Sequence, residues 1–290
     1  MVPKGYCSAR GDSDVQYGFA ESLFNEGDFY RAIGEYKRFI YLFPNEKDTV
    51  EEATYKIALA YRHAAQWQEA IGAFDAFICR YPESSKIPEA LYLKGKAEYT
   101  LKQYREALLS YKRAADVAPS ELEYKIFFES AMVLVDLKDW KSAGEMLARI
   151  PRESMYSHSA TTFSEGLERI DQLPQKSPSA AGALAAIVPG AGHVYTERYR
   201  DALVAFILNG AFIWGAIELF DNDDDVAGGI VTFFELGWYG GNIYSAVSSA
   251  HKYNVRTQES FIEGLKRRST ISFKGDAKTN AGYLTFQCEF

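Results

Sequence analysis

Cys7, Cys79 and Cys288 are the only thiols of this 290-residue chain, and they stand too far apart to make a C-x-x-C metal or dithiol site. His63, His158, His193 and His251 fall into no H-x-x-x-H ligand spacing. Neither a phosphate-cradling G-x-x-x-x-G-K-[ST] loop nor a G-x-S-x-G or H-E-x-x-H signature occurs. The residues therefore assign no catalytic constellation, no metal and no cofactor. Two other sets carry chemistry. Asn209 and Glu235 are polar groups inside otherwise apolar runs, where a carboxyl and an amide can hydrogen-bond between helices or, in a more remote reading, pass protons along a seam. A second set combines rings with cations and could orient a carboxylate-bearing segment. The formal net charge of −7 argues against nucleic acid as a partner.

That second set depends on internal repetition. "GDFYRAIGEYKRFIYLFP", "AQWQEAIGAFDAFICRYP", "KQYREALLSYKRAADVAP" and "KDWKSAGEMLARIP" align with one another. Each places an aromatic three residues before an alanine: Phe29/Ala32, Trp67/Ala70, Tyr104/Ala107 and Trp140/Ala143. Twelve residues before each alanine stands a small residue (Ala20, Ala58, Gly95, Ala131), and four after it a large one (Tyr36, Phe74, Tyr111, Leu147). Small residues allow close approach of paired helices, the large one fills the space between units, and Pro44, Pro82 and Pro119 stop the second helix. The alanine spacing is 38, 37 and 36 residues.

This pattern resembles the tetratricopeptide repeat (TPR), and the long turns make it most similar in style to bacterial envelope TPR proteins. The resemblance implies an α-solenoid with a concave, protein-binding groove. In that register Tyr17, Tyr55, Tyr92 and Phe128 occupy one inner-face position of successive first helices, flanked by Arg62, His63, Lys96 and Tyr99. They are the candidate groove for a protein or peptide partner; the competing reading is that the rings only pack between helices.

Beyond residue 180 the character changes. Residues 202–220 hold only Asn209 and Glu218 as strongly polar groups, and 226–244 only Glu235 and Asn242. Nineteen helical residues reach about 28 Å, close to a bilayer core. The intervening "DNDDD" cannot lie in hydrocarbon, so it caps a helical hairpin, while Arg198, Arg200, Lys252, Arg256 and Lys266–Arg268 collect at the other end. Pro189, Gly190, Gly192, His193, Tyr195 and Tyr199 form a P-G-x-G-[QH]-x-Y approach to this hairpin. It resembles a small two-helix membrane domain, which implies a membrane address rather than an activity. The rival is a hairpin buried within a soluble adaptor or homo-oligomer.

The expected organisation is all-α with a short β tail: 1–13 disordered; 14–171 TPR-like repeats with a capping helix at 156–171; 172–179 linker; 180–255 apolar hairpin; 256–290 basic segment and β-hairpin, with Leu284, Phe286, Cys288 and Phe290 on one face. Cys7 invites a lipid anchor, but Lys4-Gly5-Tyr6 is a poor lipobox, and a missing leader stays open. The expected function is a non-enzymatic, membrane-anchored scaffold of the bacterial cell envelope, its repeats on an undetermined side of the bilayer. A channel or transport component is a distant alternative.

Overall fold

The computed structural model describes residues 9–269 and the strand segments 272–275 and 282–285. It divides into two compact units at Ser164/Glu165.

The first unit is a TPR-like stack of helical hairpins: α1 (Ala9–Asn25) with α2 (Phe29–Leu42), α3 (Lys47–His63) with α4 (Trp67–Arg80), α5 (Ile87–Thr100) with α6 (Tyr104–Ala115), and α7 (Ser120–Asp136) with α8 (Trp140–Ala148). Each second helix begins on the aromatic of the repeat signature. Ala32, Ala70, Ala107 and Ala143 are completely buried, as are Tyr36, Phe74 and Tyr111. Gly95 shows why the small position must be small: a Cβ there would lie 2.5 Å from the Tyr111 ring. The turn inside each repeat places a residue in the left-handed region two positions before the aromatic: Gly27, Ala65, Lys102 and Lys138. Asp28 and Asp139 then cap the following helices by accepting from the backbone N–H of Arg31 and Ser142. Residues 9–13, expected to be disordered, form the first turns of α1; Cys7 lies outside the described residues.

A ninth helix, α9 (Ser157–Glu168), carries the division between the units. In the second unit α10 (Pro178–Ile187) and the short α11 (Ala191–Tyr195) pack on a hairpin of α12 (Tyr199–Asp221) and α13 (Asp225–Ser269). The hairpin agrees with the sequence reading. Its second arm does not: α13 runs unbroken for 45 residues, so the basic segment at 256–268 is helix rather than tail. Nothing in Ser245–Ser269 breaks a helix, and Lys266, Arg267 and Arg268 complement the dipole of its last turn. Helix α10 falls where the linker ends and was not foreseen. Strands β1 (Ser272–Gly275) and β2 (Gly282–Thr285) pair antiparallel, with Phe273 opposite Leu284. Their connecting turn, Phe286, Cys288 and Phe290 lie outside the described residues.

Candidate functional sites

The inner-face rings do not form an open row. Tyr55 and Tyr92 are 4% and 5% exposed. Tyr55 packs against Phe74 and Phe77, Tyr92 stacks on Tyr111, and Tyr17 packs on Tyr36 and Phe39. Phe128, half-buried, meets Tyr156. His63 stacks on Phe29 at 5.3 Å and meets the edge of Phe24; burial, with Arg62 adding, holds its pKa below the ordinary histidine value. Register leaves two readings of these rings open, a ligand-facing row and packing between helices; a ring large enough to anchor a ligand is also large enough to fill the gap between helices, and packing wins at Tyr55 and Tyr92.

What the groove keeps is a set of polar groups around those rings. Lys96 Nζ pairs with Glu129 Oε1 at 2.8 Å, and Tyr99 Oη donates to Asp136 at 2.6 Å. Arg62 and Lys125 differ, because neither ends in an ion pair among the described residues. Arg62 Nε is buried without a hydrogen-bond partner there, and so is Tyr55 Oη. The Lys125 ammonium lies 4.8 Å from the Tyr92 ring centre. Burial lowers its pKa while Glu129 opposes the shift, and the Arg62 charge reaches Tyr55, Tyr92 and Lys125 alike. Two unneutralised cations and a buried hydroxyl thus share one stretch of the face built by α3, α5 and α7, with the Glu89 carboxylate near Tyr55 as internal competitor. Sequence reasoning named Arg62 and missed Lys125 and Glu129. Lys125 stands three residues before Phe128 and so shares its helix face, which was the available signal.

In the second unit the Pro-Gly-Ala-Gly turn proves to be a packing knot. Gly190 has φ +89, and a Cβ on it would strike the Ala202 carbonyl oxygen at 2.3 Å. A Cβ on Gly192 would lie 2.2 Å from the Ala181 oxygen and 2.7 Å from Ala246 Cβ. His193 is buried, with Nε2 3.0 Å from Ser245 Oγ; burial, then Arg198, lowers its pKa against the pull of Asp201. Tyr195 Oη accepts from Ser177 N, and its ring packs on Ala181, Ala185, Ala246 and Ala250. Tyr199 alone of this motif stands well exposed. Below the knot, Asn254 brackets Lys176 by bonding both its backbone N–H and its carbonyl, and the Lys176 ammonium sits between the Tyr195 and Tyr253 rings.

Asn209 and Glu235 are both buried in the hairpin. The expected bond between them is not formed. The Asn209 amide donates back to the Ala205 carbonyl one turn earlier, and neither Glu235 oxygen has a hydrogen-bond partner among the described residues. An i−4 backbone acceptor is always within reach in a helix, so the amide satisfies itself locally. No group of three or more His, Cys, Asp or Glu side chains is placed to hold a metal among the described residues.

The first unit thus defines the class of the protein, a TPR-type helical-repeat protein. The family described as YfiO, outer membrane lipoprotein, matches residues 9–121, from α1 to the start of α7. Similar solved structures include MamA from Desulfovibrio magneticus RS-1 (23% identity over 48% of this chain and 73% of that one, TM-score 0.41). Another is YrrB, titled a TPR protein with an unusual peptide-binding site (19%, covering 57% and 79%, TM-score 0.44). A tetratricopeptide repeat protein from Parabacteroides merdae covers more (13%, covering 87% and 98%, TM-score 0.47). No curated protein matches the chain.

Proposed function

We propose that this chain is a non-enzymatic scaffold of the bacterial envelope, fixed to a bilayer by its α12–α13 hairpin and holding a carboxylate-bearing protein segment on its repeat face. One observation carries the anchoring: the hairpin turns its apolar side chains outward. Trp214 and Phe233 are more than 70% exposed, and only 17% of the most apolar stretch of α12 is buried. A soluble core helix buries such residues; lipid is the solvent in which they are stable. By length and composition α12 is long and apolar enough to cross a membrane, and it is the one such helix among the described residues. Helix α13 falls short because Glu235, Asn242 and several glycines dilute its apolar run. The match of 9–121 to an outer membrane lipoprotein family supports an envelope address.

The test is fractionation of the full-length product. Retention in the membrane through alkaline carbonate, with release by detergent, is the expected result. Release by carbonate alone would sink the anchoring and favour the buried-hairpin adaptor. For the repeat face, the Arg62 and Lys125 cations, neither in an ion pair among the described residues, support a carboxylate-bearing segment, since opposite charge and multiple N–H donors are what a carboxylate requires.

A further inference from the structure

Arg200, Lys252 and Arg256 are exposed at the open end of the α12–α13 hairpin, and none makes an ion pair among the described residues. Their neighbours are satisfied: Arg198 pairs with Asp201 and donates to Ser249 Oγ at 2.8 Å, and Lys176 pairs with Glu197 at 3.4 Å. The Arg198–Ser249 bond fixes which face of α13 turns toward the start of α12. Lys252 and Arg256 follow Ser249 at steps of three and seven residues, so they continue that face roughly 4.5 and 10.5 Å beyond it. Two exposed rings stand near these cations: Tyr199 is next to Arg200 at the start of α12, and Tyr244 lies on the span side of Lys252 and Arg256 along α13. Along α13 the order is apolar shell, Tyr244, then the free cations Lys252 and Arg256. That is the order of hydrocarbon, interface and headgroup in a bilayer. The far end reverses the sign, with Glu218, Asp221, Asp223, Asp224 and Asp225 around the tip.

We propose that Arg200, Lys252 and Arg256 form a collar that binds the anionic headgroup of a phospholipid in the leaflet at the open end of the hairpin. The proposal rests on the membrane-anchored reading. Charge complementarity selects the ligand: three exposed cations without an ion-pair partner among the described residues gather at the open end of the hairpin, beside the tyrosine rings, where lipid phosphates lie. The acidic tip repels the same headgroup, so the preference belongs to one leaflet.

The experiment reconstitutes the full chain in phosphatidylcholine vesicles holding trace spin-labelled phosphatidylglycerol or phosphatidylcholine. Electron paramagnetic resonance then reads the fraction of each lipid immobilised on the protein. Selectivity for phosphatidylglycerol is expected, falling by up to about fivefold for each cation removed and reaching unity in Arg200→Gln/Lys252→Gln/Arg256→Gln. All three positions are exposed, so helicity should be unchanged by circular dichroism. Equal immobilisation of both lipids by the wild type, or unchanged selectivity in the triple variant, would overturn the collar while leaving the anchor standing. Immobilisation of neither lipid would overturn both. If inorganic phosphate at matched ionic strength abolished the selectivity, the cations would be a free-anion site and the lipid assignment would fall.

Discussion

Glu21 shows how a single carboxylate joins successive repeats. It accepts from Tyr36 Oη in its own repeat and from Lys56 Nζ in the next at 2.8 Å. Burial opposes its ionisation, yet the bonds from Lys56 and Tyr36 win and hold its pKa below the ordinary 4.5. A carboxylate depressed in the folded state adds stability that is present above its unfolded pKa and lost as pH falls through the folded one. Glu21→Gln should therefore cost on the order of 1 kcal/mol or less at neutral pH, since the pair is partly solvated. The difference from wild type should shrink as pH falls below the ordinary carboxylate range and vanish once pH passes below the depressed folded value. Thermal melts followed by tyrosine near-ultraviolet dichroism between pH 3 and 7 check this, and a pH-independent difference would exclude the linkage. Arg62 and Lys125 make a different demand, because neither ends in an ion pair among the described residues, although the Glu129 and Glu89 carboxylates act on the Lys125 charge. Arg62→Gln and Lys125→Gln should each weaken capture of an acidic peptide by about tenfold or more with little change in melting temperature. An acidic peptide library displayed against the detergent-solubilised chain, with amidated counterparts as control, reads the effect. Equal binding of acid and amide forms would remove the carboxylate from the proposal.

At the scale of elements, the repeat pattern was legible because each signature residue has one steric job. A small residue against a ring, as at Gly95 and Tyr111, leaves no alternative, and the ring is fully buried. The turns were not legible: Gly27, Ala65, Lys102 and Lys138 share a left-handed backbone but no side-chain chemistry. A lysine there costs about 1 kcal/mol relative to glycine. Lys102→Gly and Lys138→Gly should each raise stability by about 0.5–1 kcal/mol, and Gly27→Ala should lower it similarly, in chemical denaturation. The candidate groove was half legible for a related reason. Period and register place Tyr55 and Tyr92 on the inner face, but register does not say whether a ring fills a gap or faces solvent. The P-G-x-G knot makes the sharpest element-level prediction. Gly192→Ala drives a Cβ into the Ala181 carbonyl and should cost about 3 kcal/mol or more. Gly210, with open space around its Cα, should accept alanine without loss. Tryptophan emission from Trp214 and Trp238 during denaturation separates the two variants. Equal stability would mean that the close approach at α10 is not maintained in solution.

At the scale of the whole molecule, the proposed anchoring by the hairpin of the second unit would impose one topology. Helix α12 is 23 residues long, roughly 34 Å, enough to cross a hydrocarbon core of about 30 Å with a modest tilt. Its partner returns along it, so both ends of the hairpin must lie on one side. In the anchored reading, Asp221, Asp223, Asp224 and Asp225 at the tip are too costly to leave in lipid and would emerge on the other. The long α13 then carries Arg256 and Lys266–Arg268 back onto the side where α12 began. Labelling can read this arrangement directly. With Cys7, Cys79 and Cys288 replaced by serine, single cysteines at Ser179, Asn222 and Glu259 probe the start of α10, the tip and the lower half of α13. A membrane-impermeant maleimide added to sealed vesicles should modify either Asn222→Cys alone or the other two together. Which pair reacts tells the side carrying the repeats, the point on which cationic bias and envelope resemblance diverge. Equal labelling of all three in sealed vesicles would mean that the tip never crosses. The outward-facing apolar shell would then have to be covered by protein, and the anchored scaffold would give way to the soluble adaptor.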